Sequence, residues 1–225
     1  MPEEAPSNLR LCTSWALLAM AFYLVFCGFF FRTAGRDDVA WFVHFGKQSS
    51  AIHLAYEVLG RGVRVPHIDG HDGQAFWVVA RDPLLLHPKQ TAGALDRPAY
   101  RAQRIAYPLL AAPWRVFGER GLLWGMVLTN LAIVGVGTGF AAALALDIGA
   151  PARASLAFAF NPAVIVGVIF DMSDVLAIAG VVALVYFLRR GRWGPAIAAG
   201  TIATLAKEPS LFAIGALAVL APGFP

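Results

Sequence analysis

Residues 71–83 read HDGQAFWVVARDP and set two carboxylates, Asp72 and Asp82, an amide, Gln74, and a guanidinium, Arg81, among bulky apolar side chains. Near a membrane such groups need a reason, because placing one bare in hydrocarbon costs at least ~2.5–3.5 kcal/mol. Asp72-Gly73-Gln74 has turn chemistry, with Gly70 and Gly73 supplying freedom before an apolar–aromatic helix over AFWVVA. Asp72 either caps that helix through the amides of Ala75 and Phe76 or offers its carboxylate to a site. A second cluster, DRPAYRAQR (96–104), puts Arg101 and Arg104 three apart with Gln103 beside them. On a helix those arginines share a face, where they either snorkel to an interface or form a forked clamp for phosphate. In DMSD, Asp171 and Asp174 share a face, as a cap for the next helix or as part of a site. In AKEP, Lys207 and Glu208 stand between two apolar stretches, either as a solvated turn or with Lys207 meeting an anionic group that Glu208 helps to orient.

Other chemistries find less support. The five histidines (44, 53, 67, 71 and 87) show no H-E-x-x-H spacing, and His67 and His71, four apart, are separated by Asp69 and Gly70, which make a poor helix, so a zinc site made by the chain alone is not expected. No nucleophile motif built on Ser or Cys is present. Gly135-Val-Gly137-Thr-Gly139 superficially resembles a nucleotide loop but lacks a preceding strand and a following acidic residue. Gly135 and Gly139 instead fit a small-residue packing face between membrane helices. Cys12 and Cys27 are fifteen residues apart, about 22 Å along a helix, and cannot bridge each other; both read as packing residues.

Composition determines what must position these groups. Hydrophobic residues make up 58% of 225 positions and charged residues 14%, against roughly 45–50% and 25% in soluble domains. The excess lies in blocks long enough to cross ~30 Å of hydrocarbon, which makes the chain an all-α polytopic membrane protein. A net charge of +4 does not point to nucleic acid, because the basic residues are scattered through one loop and one turn. The predicted order is a tail over 1–10, an anchor helix over 11–31, and an extracytoplasmic loop over 32–121 with interfacial helices. A bundle over 122–225 follows. The first run is too long for a cleaved signal. Within the loop, 105–118 is too short to span, so an in-plane or re-entrant helix is predicted there. Spans are expected over 122–146, 152–170 (kinked at Asn161-Pro162) and 173–188, with 194–206 and 210–221 as two thin spans or one broken helix. The ending APGFP, directly after an apolar stretch, suggests the N-terminal part of a longer protein.

RRGRW at 189–193 is a short turn with three arginines, which the positive-inside rule places in the cytoplasm. Counting spans then puts the loop, the DMSD turn and KEP together at the outer surface. Arg32 and Arg36 argue the other way, but long loops are translocated largely regardless of charge.

The order of elements resembles the GT-C superfamily of polytopic glycosyltransferases. It is similar to bacterial membrane proteins with a DGQ…DP…RxQRIxYP pattern, and to the mannosyltransferases of GPI-anchor assembly. The residues carrying the resemblance are Asp72-Gly73-Gln74, Asp82-Pro83, Arg101-x-Gln103-Arg104 and Tyr107-Pro108. Ala75-Phe76-Trp77 departs from it, standing where tyrosines are expected. The resemblance implies a multi-pass protein of the inner (plasma) membrane that moves a sugar, with inversion, from a polyprenyl-phosphate donor to a glycan or lipid acceptor outside the cell. Inversion in one displacement needs a carboxylate base, and the departing phosphate needs cations. Asp72 is the expected base, with Asp37 and Asp38 as rivals. Arg101, Arg104 and Lys207 are candidates for the phosphate. Asp171, Asp174 and Glu208 are candidates for the acceptor or a divalent cation (magnesium or manganese). Gln74, Arg81, Asp82, Gln103 and Tyr107 complete the expected substrate-binding set. A transporter or flippase of a polyprenyl-linked anion, or a non-catalytic subunit of a glycopolymer assembly complex, is the alternative.

Overall fold

A computed structural model describes residues 5–65 and 68–220; the first four residues, Pro66, His67 and the APGFP ending lie outside the described residues. The order is α1 (Ala5–Thr33), α2 (Ala40–Val43), α3 (Ala51–Leu59), α4 (Asp72–Arg81), α5 (Pro88–Gly93), α6 (Pro98–Gln103) and α7 (Ala106–Ala111). A 3₁₀ stretch (Ala112–Phe117) leads to α8 (Gly118–Asp147), and a second (Ala152–Ser155) leads to α9 (Leu156–Ala159) and α10 (Pro162–Ile169). The chain then makes α11 (Asp174–Arg189), α12 (Trp193–Ala206) and α13 (Ser210–Leu220), with no strand among the described residues. It is a helical membrane protein. Among the described residues two helices, Asn8–Thr33 and Ala106–Asp147, are long and apolar enough to cross a bilayer. The pair Ala152–Ala159 and Pro162–Ile169, bent by 52°, makes a third if it is one span.

Several expected boundaries move. α1 begins at Ala5, so most of the tail expected over 1–10 is helical. The helix expected to lie separately over 105–118 instead runs without a loop into α8 as part of a 42-residue helical stretch. Gly118, at φ +81°, marks the joint, a backbone angle that glycine adopts without steric cost. The predicted kink is present, and Asn161 accepts the amide of Ala163 through its side-chain oxygen as α10 begins at Pro162. α11, α12 and α13 have 16, 14 and 11 residues. At 1.5 Å per residue these are roughly 24, 21 and 17 Å long, each short of ~30 Å of hydrocarbon. KEP is a turn between two separate helices.

The chain divides into two compact units, and the division cuts through α1 and α8 rather than following the expected loop and bundle boundaries. The bundle unit holds residues 1–23, 131–165 and 174–225; the loop unit holds 24–130 and 166–173.

In the bundle unit small residues set the packing. A β-carbon on Gly135 would lie 2.4 Å from Met20 Sδ, and one on Gly139 would touch Ala16, so this face of α8 lies against α1 as the small-residue spacing predicted. The other side of α8 is equally close: Gly137 has room only for hydrogen beside the Phe158 ring. Cys12 is buried with Ala142 and Ala152, which bears out its packing role. Tyr23 is fully buried and donates to the Ala159 carbonyl at 2.6 Å. Arg190 forms a two-point ion pair with Asp147 at 2.7 and 3.0 Å, tying the RRGRW turn to the end of α8. Lys207 pairs with Asp174, tying KEP to the start of α11.

In the loop unit α4 is central. Ala75 to Ala80 are all buried, as expected of a helix that is apolar all round. Trp77 meets Phe45 edge-on at 5.1 Å, and Phe76 meets Tyr107 edge-on at 5.7 Å. Helices α2, α3, α6 and α7 pack around α4, so the long polar stretch folds about a core of its own.

Candidate functional site

The residues of greatest interest gather at the N-terminus of α4. His71 is the extended residue before the helix and Asp72 opens its first turn, where the helix dipole favours negative charge. Asp72 does not cap the helix through the amides of Ala75 and Phe76. Its Oδ1 accepts from Arg101 Nη1 at 2.6 Å and its Oδ2 from Arg104 Nη1 at 2.9 Å. α6, opened by Pro98 at its first position, carries Arg101, and Arg104 ends it. Arg104 is buried, lies 4.5 Å over the Tyr100 ring and donates to the Tyr100 hydroxyl. Arg101 also grips Asp96, Nε to Oδ1 at 2.8 Å and Nη2 to Oδ2 at 3.1 Å. That guanidinium holds the Asp96 carboxyl below the usual carboxylate range.

A cavity of about 600 Å³ opens beside this cluster. Gln48, Ser49, Asp69, His71, Asp72, Asp96 and Arg101 contribute to its lining. Its floor is held by Gln74, whose Oε1 accepts the Gly46 amide at 3.1 Å while its Nε2 donates to the Asp69 carbonyl at 3.3 Å. The backbones there approach too closely for side chains: a β-carbon on Gly46 would lie 2.3 Å from Asp69 C, and one on Gly73 would lie 2.4 Å from Phe170 O. The His71 ring stacks on Phe170 at 4.2 Å, 18° from parallel. Gln74 thus clasps two backbone segments and also lines the cavity.

Asp171, expected at an outer surface, is fully buried. Its Oδ1 accepts from Asn130 Nδ2 at 2.9 Å and meets the Tyr107 hydroxyl. That hydroxyl also reaches the Met126 carbonyl at 2.9 Å. Asp171 Oδ2 and Asn130 Oδ1 are buried without a hydrogen-bond partner among the described residues. The backbone at Asp171 is left-handed, φ +52°. Burial pushes its carboxyl up to about 7 against the hydrogen bonds of Tyr107 and Asn130. This corrects two expectations, since neither Asp171 nor Tyr107 is placed to touch a substrate.

The remaining candidates are placed as follows. Arg81 pairs with Glu119 at 2.9 Å and lies 5.1 Å over the Trp77 ring, so it joins α4 to α8. Asp82 is buried and folds the next loop, accepting the amides of Leu86 and His87, each at 2.7 Å, and the Thr91 hydroxyl at 3.0 Å. Burial works against its carboxylate, but these donors outweigh it and hold it below the usual range. Asp38 accepts two backbone amides, from Ala40 at 3.1 Å and Arg64 at 2.8 Å, and Asp37 pairs with Arg32 in the open. Neither rival lines the cavity. Gln103 is exposed at the end of α6. Asp174, Lys207 and Glu208 belong to the bundle unit, where the first two pair with each other. Among the described residues no three His, Cys, Asp or Glu side chains converge to hold a metal ion.

Sequence reasoning missed Asp96, His71, Phe170 and Asn130. Asp96 and Arg101 are five apart across a helix start, a spacing that no periodicity predicts. Asn130 did leave a signal, as a lone amide deep in an apolar run. Comparison with protein-family models, with curated proteins and with solved structures returned no significant match.

Proposed function

We propose that this chain is a membrane glycosyltransferase that moves a sugar, with inversion, from a polyprenyl-phosphate donor to a glycan or lipid acceptor on the extracytoplasmic side. The observation that carries this reading is the meeting of Asp72 with Arg101 and Arg104 at the edge of a polar cavity at the start of α4. The cluster unites the two residue types that such a displacement needs, a carboxylate to receive the acceptor hydroxyl proton and cations where phosphate charge develops. Both Asp72 oxygens are held by guanidinium groups, so one must release before Asp72 can act as base. A phosphate drawing Arg101 or Arg104 to itself would free that oxygen, linking donor binding to base activation.

The outward placement of the cavity rests on the positive-inside reading of RRGRW.

The test is transfer from polyprenyl-phosphate hexoses by the full chain reconstituted in liposomes, wild type against Asp72→Asn. A general base contributes typically about 10²–10⁴-fold, and a loss of that size is expected. Equal turnover in both would remove Asp72 from the base role. A second reading, a non-catalytic subunit of an assembly complex, is favoured by the full engagement of both Asp72 oxygens. It predicts no transfer by the wild type with any donor.

A further inference from the structure

The forked edge of Arg101 faces Asp96 rather than Asp72. Nε and Nη2, the two parallel donors that match a phosphate, meet the two oxygens of Asp96 at 2.8 and 3.1 Å, while Nη1 alone reaches Asp72. Asp96 comes from the link between α5 and α6, and its side chain is 54% exposed against 25% for Asp72. Asp96 and Arg101 both line the 600 Å³ cavity. Asp96 is the more exposed of the two carboxylates on Arg101, so it is the one that an anion entering from the cavity reaches and can replace like for like in the fork. Arg104 holds Asp72 from a buried position and stays with it when Arg101 is turned toward another anion.

We propose that Asp96 is a built-in stand-in for phosphate: its carboxylate occupies the fork of Arg101, and a phosphate monoester or diester entering the cavity displaces it. The identification of this phosphate as the donor's leaving group rests on the glycosyltransferase reading; the fork as a phosphate site does not. In the empty state Asp96 neutralises Arg101 and keeps other anions out. In the occupied state the freed Asp96 carboxylate turns to solvent.

The experiment measures binding to the full chain in phosphatidylcholine nanodiscs, using inorganic phosphate in one arm and polyprenyl phosphate in the bilayer in the other. Asp96→Asn removes the competing charge and is expected to tighten binding by at least about fivefold, because the forked pair it breaks is worth more than an ordinary exposed one. Damage to the fold cannot mimic a gain in affinity. Arg101→Lys removes the fork, and in that background Asp96→Asn is expected to give no gain. Tightening in both arms supports a fork open to any phosphate. Tightening in the polyprenyl arm alone supports a lipid-borne source, and in the inorganic arm alone a dissolved one. Unchanged or weaker binding of both by Asp96→Asn overturns the proposal, as does a gain that persists with Arg101→Lys. If phosphate binding behaves as expected but no sugar is transferred, the glycosyltransferase reading falls and the fork remains. If sugar is transferred but Asp96→Asn leaves phosphate affinity unchanged, the fork falls alone.

Discussion

Asp72 and Asp171 are the same residue type within one unit, yet the chain treats them in opposite ways. Asp72 stands at a cavity with a guanidinium on each oxygen. Asp171 is sealed among Tyr107, Asn130 and the Met126 carbonyl, with no cation on it and one oxygen without a partner among the described residues. Burying a carboxylate without a counter-charge is so unfavourable that the group takes up a proton instead. The two therefore do different work: one holds charge where a substrate can reach it, and the other knits the Phe170–Ser173 link to α7 and α8. A carboxylate's neighbours, more than its presence near a membrane, mark it as chemical or structural.

The sharpest way to break this comparison is sugar transfer by the two amide variants. Asp72→Asn is expected to lose about 10²–10⁴-fold, as for a general base. Asp171→Asn, normalised to folded protein, is expected to stay within about threefold of wild type, since Asp171 touches nothing in the cavity. A reversal would exchange the two roles. Next in size is Arg104→Met, which leaves Asp72 with a single cation. Removing one partner of a fully buried pair costs about 3–5 kcal/mol, and the partial exposure of Asp72 lowers this to about 2–3 kcal/mol. The melting temperature in detergent reads the loss.

Much of this arrangement was legible in the sequence, and what was missed has a common cause. Apolar blocks gave α1, α8 and the Asn161-Pro162 kink, because hydrocarbon dictates length and proline dictates where a helix bends. The glycine face of α8 followed from spacing alone. Arg101 and Arg104 were expected on one face, and both reach Asp72, because residues three apart at a helix end stay neighbours. What failed was depth. Asp171 and Tyr107 were assigned to substrate from their place in a motif, but whether a side chain faces a cavity or a core is decided by distant segments. Asp82 was misjudged for a related reason: a short polar side chain near a turn satisfies backbone groups, and the sequence does not show which of them it meets. Asp96 was passed over because its bond to Arg101 crosses the start of α6, where no repeat applies.

The floor beneath the cavity offers a finer test. Gly73→Ala would put a methyl group 2.4 Å from the Phe170 carbonyl oxygen and 2.9 Å from that of Val43. Crowding of this kind costs about 1–3 kcal/mol, and a lowered melting temperature is expected together with weaker transfer. Gly62→Ala, where nothing lies within 4 Å, is the control.

Asp171 also makes a prediction about pH. Its carboxyl in the folded chain is raised to about 7, whereas in the unfolded chain it ionises near its ordinary value of about 3.9. The folded state thus binds the proton more tightly, and the stability this contributes is complete below about pH 4 and lost as pH rises through about 7. Melting temperatures measured from pH 4 to 8 are expected to fall across that window in the wild type. Asp171→Asn, which cannot ionise, is expected to flatten the decline. A slope unchanged by the substitution would show that Asp171 is charged at neutral pH and would erase its contrast with Asp72.

The smallest effect is expected at Asp37, the carboxylate nearest the end of α1. It pairs with Arg32 at 3.0 Å, but the side chains are 57% and 76% exposed, so solvent screens the pair and its worth is about 0–1 kcal/mol. Asp37 itself sits at φ +63°, a conformation that asparagine tolerates as readily as aspartate. Asp37→Asn therefore removes charge without straining the turn, and both melting temperature and transfer are expected to stay at wild-type levels. If transfer is lost with Asp37→Asn while Asp72→Asn remains active, the base lies at the end of α1, and the arginine-held carboxylate of α4 is structural like Asp171.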